Sequence, residues 1–125
     1  MKNKNSNPDI LIIEDNLETV EFLTNYFELE GYSSKFVSSG KKGLDELTKI
    51  KPKVILLDII LPDMNGYELI KKIRENEPKK SIPILFLTAI PRADVSAKLE
   101  KLGAVGIISK PFNLSDFEIL SKYID

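Results

Sequence analysis

The sequence contains neither cysteine nor histidine. Without cysteine there are no disulfides and no thiolate metal sites. Without histidine there is no Ser-His-Asp or Cys-His nucleophilic machinery, and the usual zinc sites go with it. Excess charge of either sign is also lacking, since the formal net charge is -1. A domain that grips nucleic acid generally carries a basic excess on one face, and the overall balance gives no sign of one. The lysine pairs Lys41-Lys42, Lys71-Lys72 and Lys79-Lys80 read as solvated helix faces rather than a phosphate-backbone site. Long apolar runs are missing, so nothing in the sequence is long enough for a membrane-spanning helix. The polar, Asn-rich start, Met1 to Pro8, leads into an apolar run, Ile10 to Ile13, too short for a signal peptide. The expectation is a cytoplasmic protein with no nucleic-acid or membrane partner. Its chemistry must come from carboxylates, hydroxyls, lysines and backbone.

What is present fits one domain. The chain has 125 residues, 42% apolar and 30% charged, enough for a single core. We divide it into a polar tail, 1–8, and one domain, 9–125. Two periodicities alternate along that domain. Ile10 to Ile13, Val54 to Leu57 and Ile84 to Leu87 are short continuous apolar runs, and Val105 to Ile108 is a weaker one. Such runs fit strands buried on both faces of a parallel sheet. A further strand is expected around Ser33 to Val37, after Gly31. Between them lie helical patterns. Leu17, Val20, Leu23 and Phe27 form one stripe, stopped by Gly31. Leu44 and Leu47 mark a second helix capped by Ser38 or Ser39. Tyr67, Ile70, Ile73 and Arg74 mark a third, ending before Pro78. Val95, Leu99 and Leu102 mark a fourth, entered at Pro91 and closed by Gly103. Leu114, Phe117, Leu120 and Ile124 mark a fifth, capped by Asn113 or Ser115. This βα alternation implies an α/β fold: a parallel sheet with helices on both faces. The last helix runs to Asp125, which gives the expectation that no output domain is attached.

The residues that end the strands are polar. Glu14-Asp15 follows the first run, Asp58 the third strand, Thr88 the fourth, and Ser109-Lys110 the fifth. In a parallel sheet these ends share one edge, and open α/β sheets bind ligands there. Each residue also has a plainer reading. Glu14-Asp15 and Thr88 suit helix caps, although Asn16 suits that role by itself, and Lys110 suits a solvated surface lysine. Asp58 does not fit a cap, because Ile59, Ile60, Leu61 and Pro62 follow it and no helix begins before about Asn65. A carboxylate between Leu57 and Ile59 needs a cation, and Lys110 or a metal can serve. Clustered carboxylates suit a hard ion such as Mg²⁺. An aspartate can also attack a phosphoryl group to form an acyl phosphate, and phosphoryl transfer needs chiefly positioning and charge neutralisation. In this reading Asp58 attacks, Glu14 and Asp15 hold Mg²⁺, and Lys110 and Thr88 bind phosphoryl oxygens.

Four segments together resemble the receiver domains of two-component response regulators. They are Ile-Glu14-Asp15-Asn, Leu-Leu-Asp58-Ile-Ile-Leu-Pro62-Asp-Met-Asn-Gly66, Ile-Pro-Ile-Leu-Phe-Leu-Thr88-Ala89 and Ser-Lys110-Pro111-Phe112. The resemblance implies a doubly wound five-stranded parallel sheet with five helices, in the flavodoxin-like order 2-1-3-4-5. It implies Asp58 as phosphoacceptor, and Mg²⁺ (with Mn²⁺ able to substitute) on Glu14, Asp15, Asp58 and the backbone carbonyl of Ile60. It implies a phosphohistidine donor on a sensor histidine kinase or phosphotransfer protein. Thr88 would act as a switch, Ala89 would flank the phosphoryl group, and the Lys110–Pro111 bond would be cis. Output would leave for a downstream protein through the face of the fourth helix, fifth strand and fifth helix, roughly Arg92 to Ile124, where receivers also form homodimers.

Two departures stand out. Ile107 occupies the switch position where many receivers carry Tyr or Phe, so an aromatic rotamer switch is not expected. Ile60 and Ile90, two residues beyond Asp58 and Thr88, flank the phosphoryl position and cannot orient a water, which predicts slow dephosphorylation. Other readings fare worse. An acyl-phosphate hydrolase typically needs a second acid where Ile60 stands. A non-phosphorylated adaptor has no use for five intact site residues. A nucleotide-binding flavodoxin-like protein lacks the glycine-rich phosphate loop after the first strand.

Overall fold

The structure is a computed structural model that describes residues 7–76 and 82–125. Residues 1–6 of the polar tail, and Pro78 and Lys79-Lys80, lie outside those residues.

Each apolar run becomes a strand, because its residues alternate between two sides that are both covered. β1 is Ile10–Ile13, β2 is Ser34–Val37, β3 is Val54–Leu57, β4 is Ile84–Thr88 and β5 is Gly106–Ser109. They form one parallel sheet in the order β2-β1-β3-β4-β5, as expected. The alternation divides the core in two. Leu11, Ile13, Ile55, Leu57 and Phe86 pack on one side with α2 (Gly40–Glu46), α3 (Gly66–Glu75) and α4 (Arg92–Leu102). Ile10, Ile12, Val54, Leu56 and Leu87 pack on the other with α1 (Leu17–Leu29) and the C-terminal helical segment. All ten of these strand residues are at most 1% exposed. Each such side chain contributes about 1.5–3 kcal/mol relative to an exposed one.

Helix starts follow the expected chemistry. Asn16 caps α1 by accepting from Thr19 N–H, Ser39 caps α2 from Lys42 N–H, and Asn65 caps α3 from Glu68 N–H. Gly31 and Gly103 sit past the ends of α1 and α4 with φ of +84° and +78°, a conformation glycine adopts without strain. The Lys41-Lys42 and Lys71-Lys72 pairs are exposed.

Four details differ from the pattern read in the sequence. Val105 lies outside β5 and is 43% exposed, because the strand runs one residue later. Leu114 is 45% exposed at the start of the C-terminal helical segment. Leu17 is not on the buried stripe of α1. It is 66% exposed at the helix start, while Val20, Leu23 and Phe27 are buried. The fifth helix is not α-helical throughout. Leu114–Leu120 is a 3-10 helix, and only Ser121–Ile124 (α5) is α-helical. Phe117 and Leu120 are three residues apart and both buried, which matches the three-residue turn of a 3-10 helix.

Candidate functional site

The parallel register gathers the strand ends at one edge, and the polar residues meet there. Glu14 and Asp15 follow β1, Asp58 follows β3, Thr88 closes β4, and Lys110 follows β5. Glu14 is 1% exposed and Asp58 6%, whereas Asp15 is open to solvent. One oxygen from each of these three carboxylates lies within 4.8 Å of the other two. Lys110 Nζ donates to Glu14 Oε1 at 2.7 Å and to Asp58 Oδ2 at 2.9 Å. The buried charges are thus paired, which is the condition for burying them at all. Lys110 is no solvated surface lysine. Nor do Glu14 and Asp15 cap α1, since Asn16 does so and sends its own N–H to Glu14 Oε2 at 3.0 Å.

The electrostatics are uneven. Burial pushes the Glu14 carboxyl above its ordinary value. The hydrogen bonds from Lys110 and Asn16 offset part of that rise, and the negative charge of Asp58 adds to it. Burial alone would lower the Lys110 ammonium. Its hydrogen bonds to Glu14 and Asp58 outweigh burial and hold it above its ordinary value.

The backbone after Asp58 is folded tightly around it. Ile60 N–H donates to Asp58 Oδ1 at 3.1 Å, Ile60 bridges to Asn65, and Gly66 N–H donates to Ile59 O at 2.6 Å. The Ile60 side chain is 63% exposed, and among the described residues no hydrogen bond ends on its carbonyl oxygen. A cleft of about 300 Å³ opens here, lined by Glu14, Asp15, Asp58, Ile60, Ala89 and Lys110 among others. The Glu14, Asp15 and Asp58 carboxylates offer oxygen ligands, as a hard divalent cation requires.

Thr88 is brought to the same edge but is fully buried, and neither it nor Ile90 is part of the cleft lining. Its Oγ1 accepts from Ile90 N–H at 3.2 Å and so fixes the loop that leads to α4. Ile107 is buried at 6% exposure and lies away from the cleft, against the core that contains Phe86 and Val95. Its carbonyl accepts from Arg92 Nη2 at 2.9 Å, beside a second cavity of about 440 Å³. The Lys110–Pro111 peptide is cis.

Sequence reasoning missed two residues near the site. Asp63 binds the first amides of α2, and Arg92 spans from α4 to β5. A Pro-Asp turn signal and a helix-start arginine give no hint of partners 15 to 23 residues away.

Comparison with known proteins gives the same assignment. Residues 10–121 match the response regulator receiver domain. Sporulation initiation phosphotransferase F of Bacillus subtilis is 30% identical over 119 residues, covering 94% of this chain and 94% of its own length. Response regulator SaeR of Staphylococcus aureus is 33% identical over 83% of this chain, a match that spans 44% of SaeR. Among solved structures, the receiver domain of sensor histidine kinase PA1611 from Pseudomonas aeruginosa superposes with a TM-score of 0.84 at 26% identity, covering 95% of this chain and 98% of that one. That structure holds a magnesium ion in its active site cleft. The non-phosphorylated HemR receiver domain from Leptospira biflexa superposes with a TM-score of 0.81 at 32% identity, covering 94% and 93%. This chain belongs to the response regulator receiver domains of two-component signalling systems.

Proposed function

We propose that the protein accepts a phosphoryl group on Asp58 and passes the signal on by binding a partner. The observation that carries this reading is the double hydrogen bond of Lys110 to Glu14 and Asp58. It gives a buried aspartate a cationic partner at the wall of an open cleft, where a carboxylate nucleophile can meet a phosphoryl donor. The donor is a phosphohistidine of a sensor histidine kinase or phosphotransfer protein. An Asp58 oxygen forms the new bond to phosphorus as the phosphorus–nitrogen bond breaks, and the bonding pair stays on the imidazole nitrogen. Glu14, Asp15, Asp58 and the Ile60 carbonyl would hold Mg²⁺, or Mn²⁺ in its place; when bound, the ion neutralises charge on the transferring oxygens. Lys110, which shares the cleft with Asp58, would pair with the phosphoryl oxygens, and Thr88 is one residue from the cleft wall at Ala89.

The exposed Phe22 and Leu17 and the half-buried Phe112 next to the cleft suit a protein donor. Phe22 and Phe112 are 5.7 Å apart and share a shallow hollow with Lys110, and Leu17 is exposed on the same helix as Phe22. Downstream, the α4, β5 and C-terminal helical face carries the output and serves as a homodimer surface. Phe117 and Ile124 are buried there, while the half-buried Tyr123 and the exposed Arg92, Val105 and Leu114 lie in the same stretch.

Incubation with a small phosphodonor and Mg²⁺ tests the reading by intact-protein mass. Wild type should gain one phosphoryl group and Asp58→Asn none. Equal labelling of Asp58→Asn overturns it. The apolar Ile60 and Ile90 cannot orient a hydrolytic water, so the acyl phosphate should outlast seconds by a wide margin.

A further inference from the structure

The first amides of α2 are satisfied by two side chains of different origin. Ser39, the local cap, accepts from Lys42 N–H at 3.2 Å. The other is Asp63, more than twenty residues further along the chain. Its Oδ1 accepts from Gly40 N–H at 2.8 Å and its Oδ2 from Lys41 N–H at 2.9 Å. A helix start leaves such donors unpaired, and a carboxylate is the favoured acceptor there. These bonds, Lys41 N–H first, hold the Asp63 carboxyl below its ordinary value. Contact is close as well: a Cβ at Gly40 would lie 2.6 Å from Met64 Cγ. The turn that carries Asp63 and Met64 is therefore locked onto α2.

That same turn carries Ile60 at its base. Ile60 and Asn65 are paired across it, and Gly66 N–H closes it onto Ile59 O. Asp63 lies at the tip, three residues from Ile60 and two from Asn65. The base is fixed to β3, α3 and, through Leu61, the core; among the described residues the tip is held to α2 through Asp63 and Met64. We infer that Asp63 is a positioning residue for the metal site: by holding the turn on α2 it aims the Ile60 carbonyl at the three carboxylates. The inference rests on the reading of that carbonyl as a metal ligand. Groups behind metal ligands commonly govern affinity by tenfold or more when removed. The coupling is reciprocal, so an ion held by the Ile60 carbonyl should tighten the bonds of Asp63 to α2.

The test is Mg²⁺ titration by calorimetry on the whole chain, with melting temperature recorded beside it. Asp63→Ala should weaken Mg²⁺ binding about tenfold, and Asp63→Asn by less. Ser39→Ala removes a cap from the same helix and should destabilise it with Mg²⁺ affinity kept within twofold. Hydrogen exchange gives a second readout on wild type. Mg²⁺ should slow the Gly40 and Lys41 amides, and this effect should shrink in Asp63→Asn, the variant that carries the test if Asp63→Ala does not fold. Equal losses of affinity in Asp63→Ala and Ser39→Ala, or affinity unchanged in Asp63→Ala, overturn the inference. So does a wild-type exchange rate at Gly40 and Lys41 that ignores Mg²⁺. Wild type that binds no Mg²⁺, or binds it as well after Asp15→Asn, overturns the parent reading instead, and the inference falls with it.

Discussion

Two loops leave neighbouring strands at the functional edge, one after Asp58 and one after Thr88, and they are built differently. The first has several independent ties. Ile60 N–H returns to Asp58, Gly66 N–H closes on Ile59 O, Asp63 grips α2, and Asn65 caps α3. Ile59 and Leu61 anchor it in the core at 2% and 9% exposure. Among the described residues the second loop, Ala89 to Pro91, has one side-chain hydrogen bond of its own, Ile90 N–H to Thr88 Oγ1, and rests the half-buried Ile90 against the core. Beyond it Arg92 reaches Ile107 O. Over-determined segments hold one geometry, and segments with fewer ties open at lower free-energy cost. The difference assigns the tasks. On the proposed reading, the Asp58 side would present the metal ligands and the Thr88 side would respond.

The strongest challenge to that contrast is Gly66→Ala. Its Cβ would lie 2.7 Å from Ile59 Cα and 2.8 Å from Asp58 O, both backbone atoms with no freedom to rotate away. Thermal unfolding should show a loss of about 3 kcal/mol; a loss under 1 kcal/mol would mean that the first loop yields as easily as the second.

The next effect is pH. Glu14 has a folded pKa above its unfolded one, so its ionised form opposes folding, and that cost disappears as pH falls from the raised value towards the ordinary one. Over the same window Mg²⁺ must compete with the proton. Its affinity should fall on acidification by up to about tenfold per unit for one proton, while metal-free stability rises. Calorimetry and melting at stepped pH check both signs, and parallel trends would reject the assignment. The Thr88 loop has no titratable group between Ala89 and Pro91. Its exchange rates, corrected for intrinsic chemistry, should stay level.

The smallest effect belongs to Thr88→Ala. Losing one hydrogen bond should cost about 1 kcal/mol. Exchange of the Ile90 amide should quicken, and Mg²⁺ affinity should stay within twofold of wild type. If affinity drops as far as in Asp63→Ala, the two loops are not independent.

Much of this was legible in the sequence for a physical reason. Strands covered on both faces are continuous apolar runs, so Val54–Leu57 and Ile84–Leu87 announce themselves, and parallel order then puts Glu14, Asp15, Asp58 and Lys110 together. β2, an edge strand with Phe36 at 42% exposure, was placed by the turn before it more than by its own pattern. The 3-10 course of Leu114–Leu120 was hidden because spacings of three fit both helix types over so short a stretch. Arg74 shows the other limit. Its guanidinium donates to Ile82 O at 2.8 Å and to Gly103 O at 2.7 Å, tying α3 to the end of α4. Such ties join side chains to loop carbonyls far along the chain, and no local period encodes them.

The strand order has a consequence for how the charges come together as the chain is made. β1, β2 and β3 form a contiguous sheet by themselves, and β4 and then β5 each add to an edge that already exists. Glu14, Asp15 and Asp58 all follow strands among the first three, whereas Lys110 follows the last. An acidic cluster is thus complete before its ammonium is synthesised. Mutual repulsion among those carboxylates then favours the docking of the final strand, because that step brings their counter-charge.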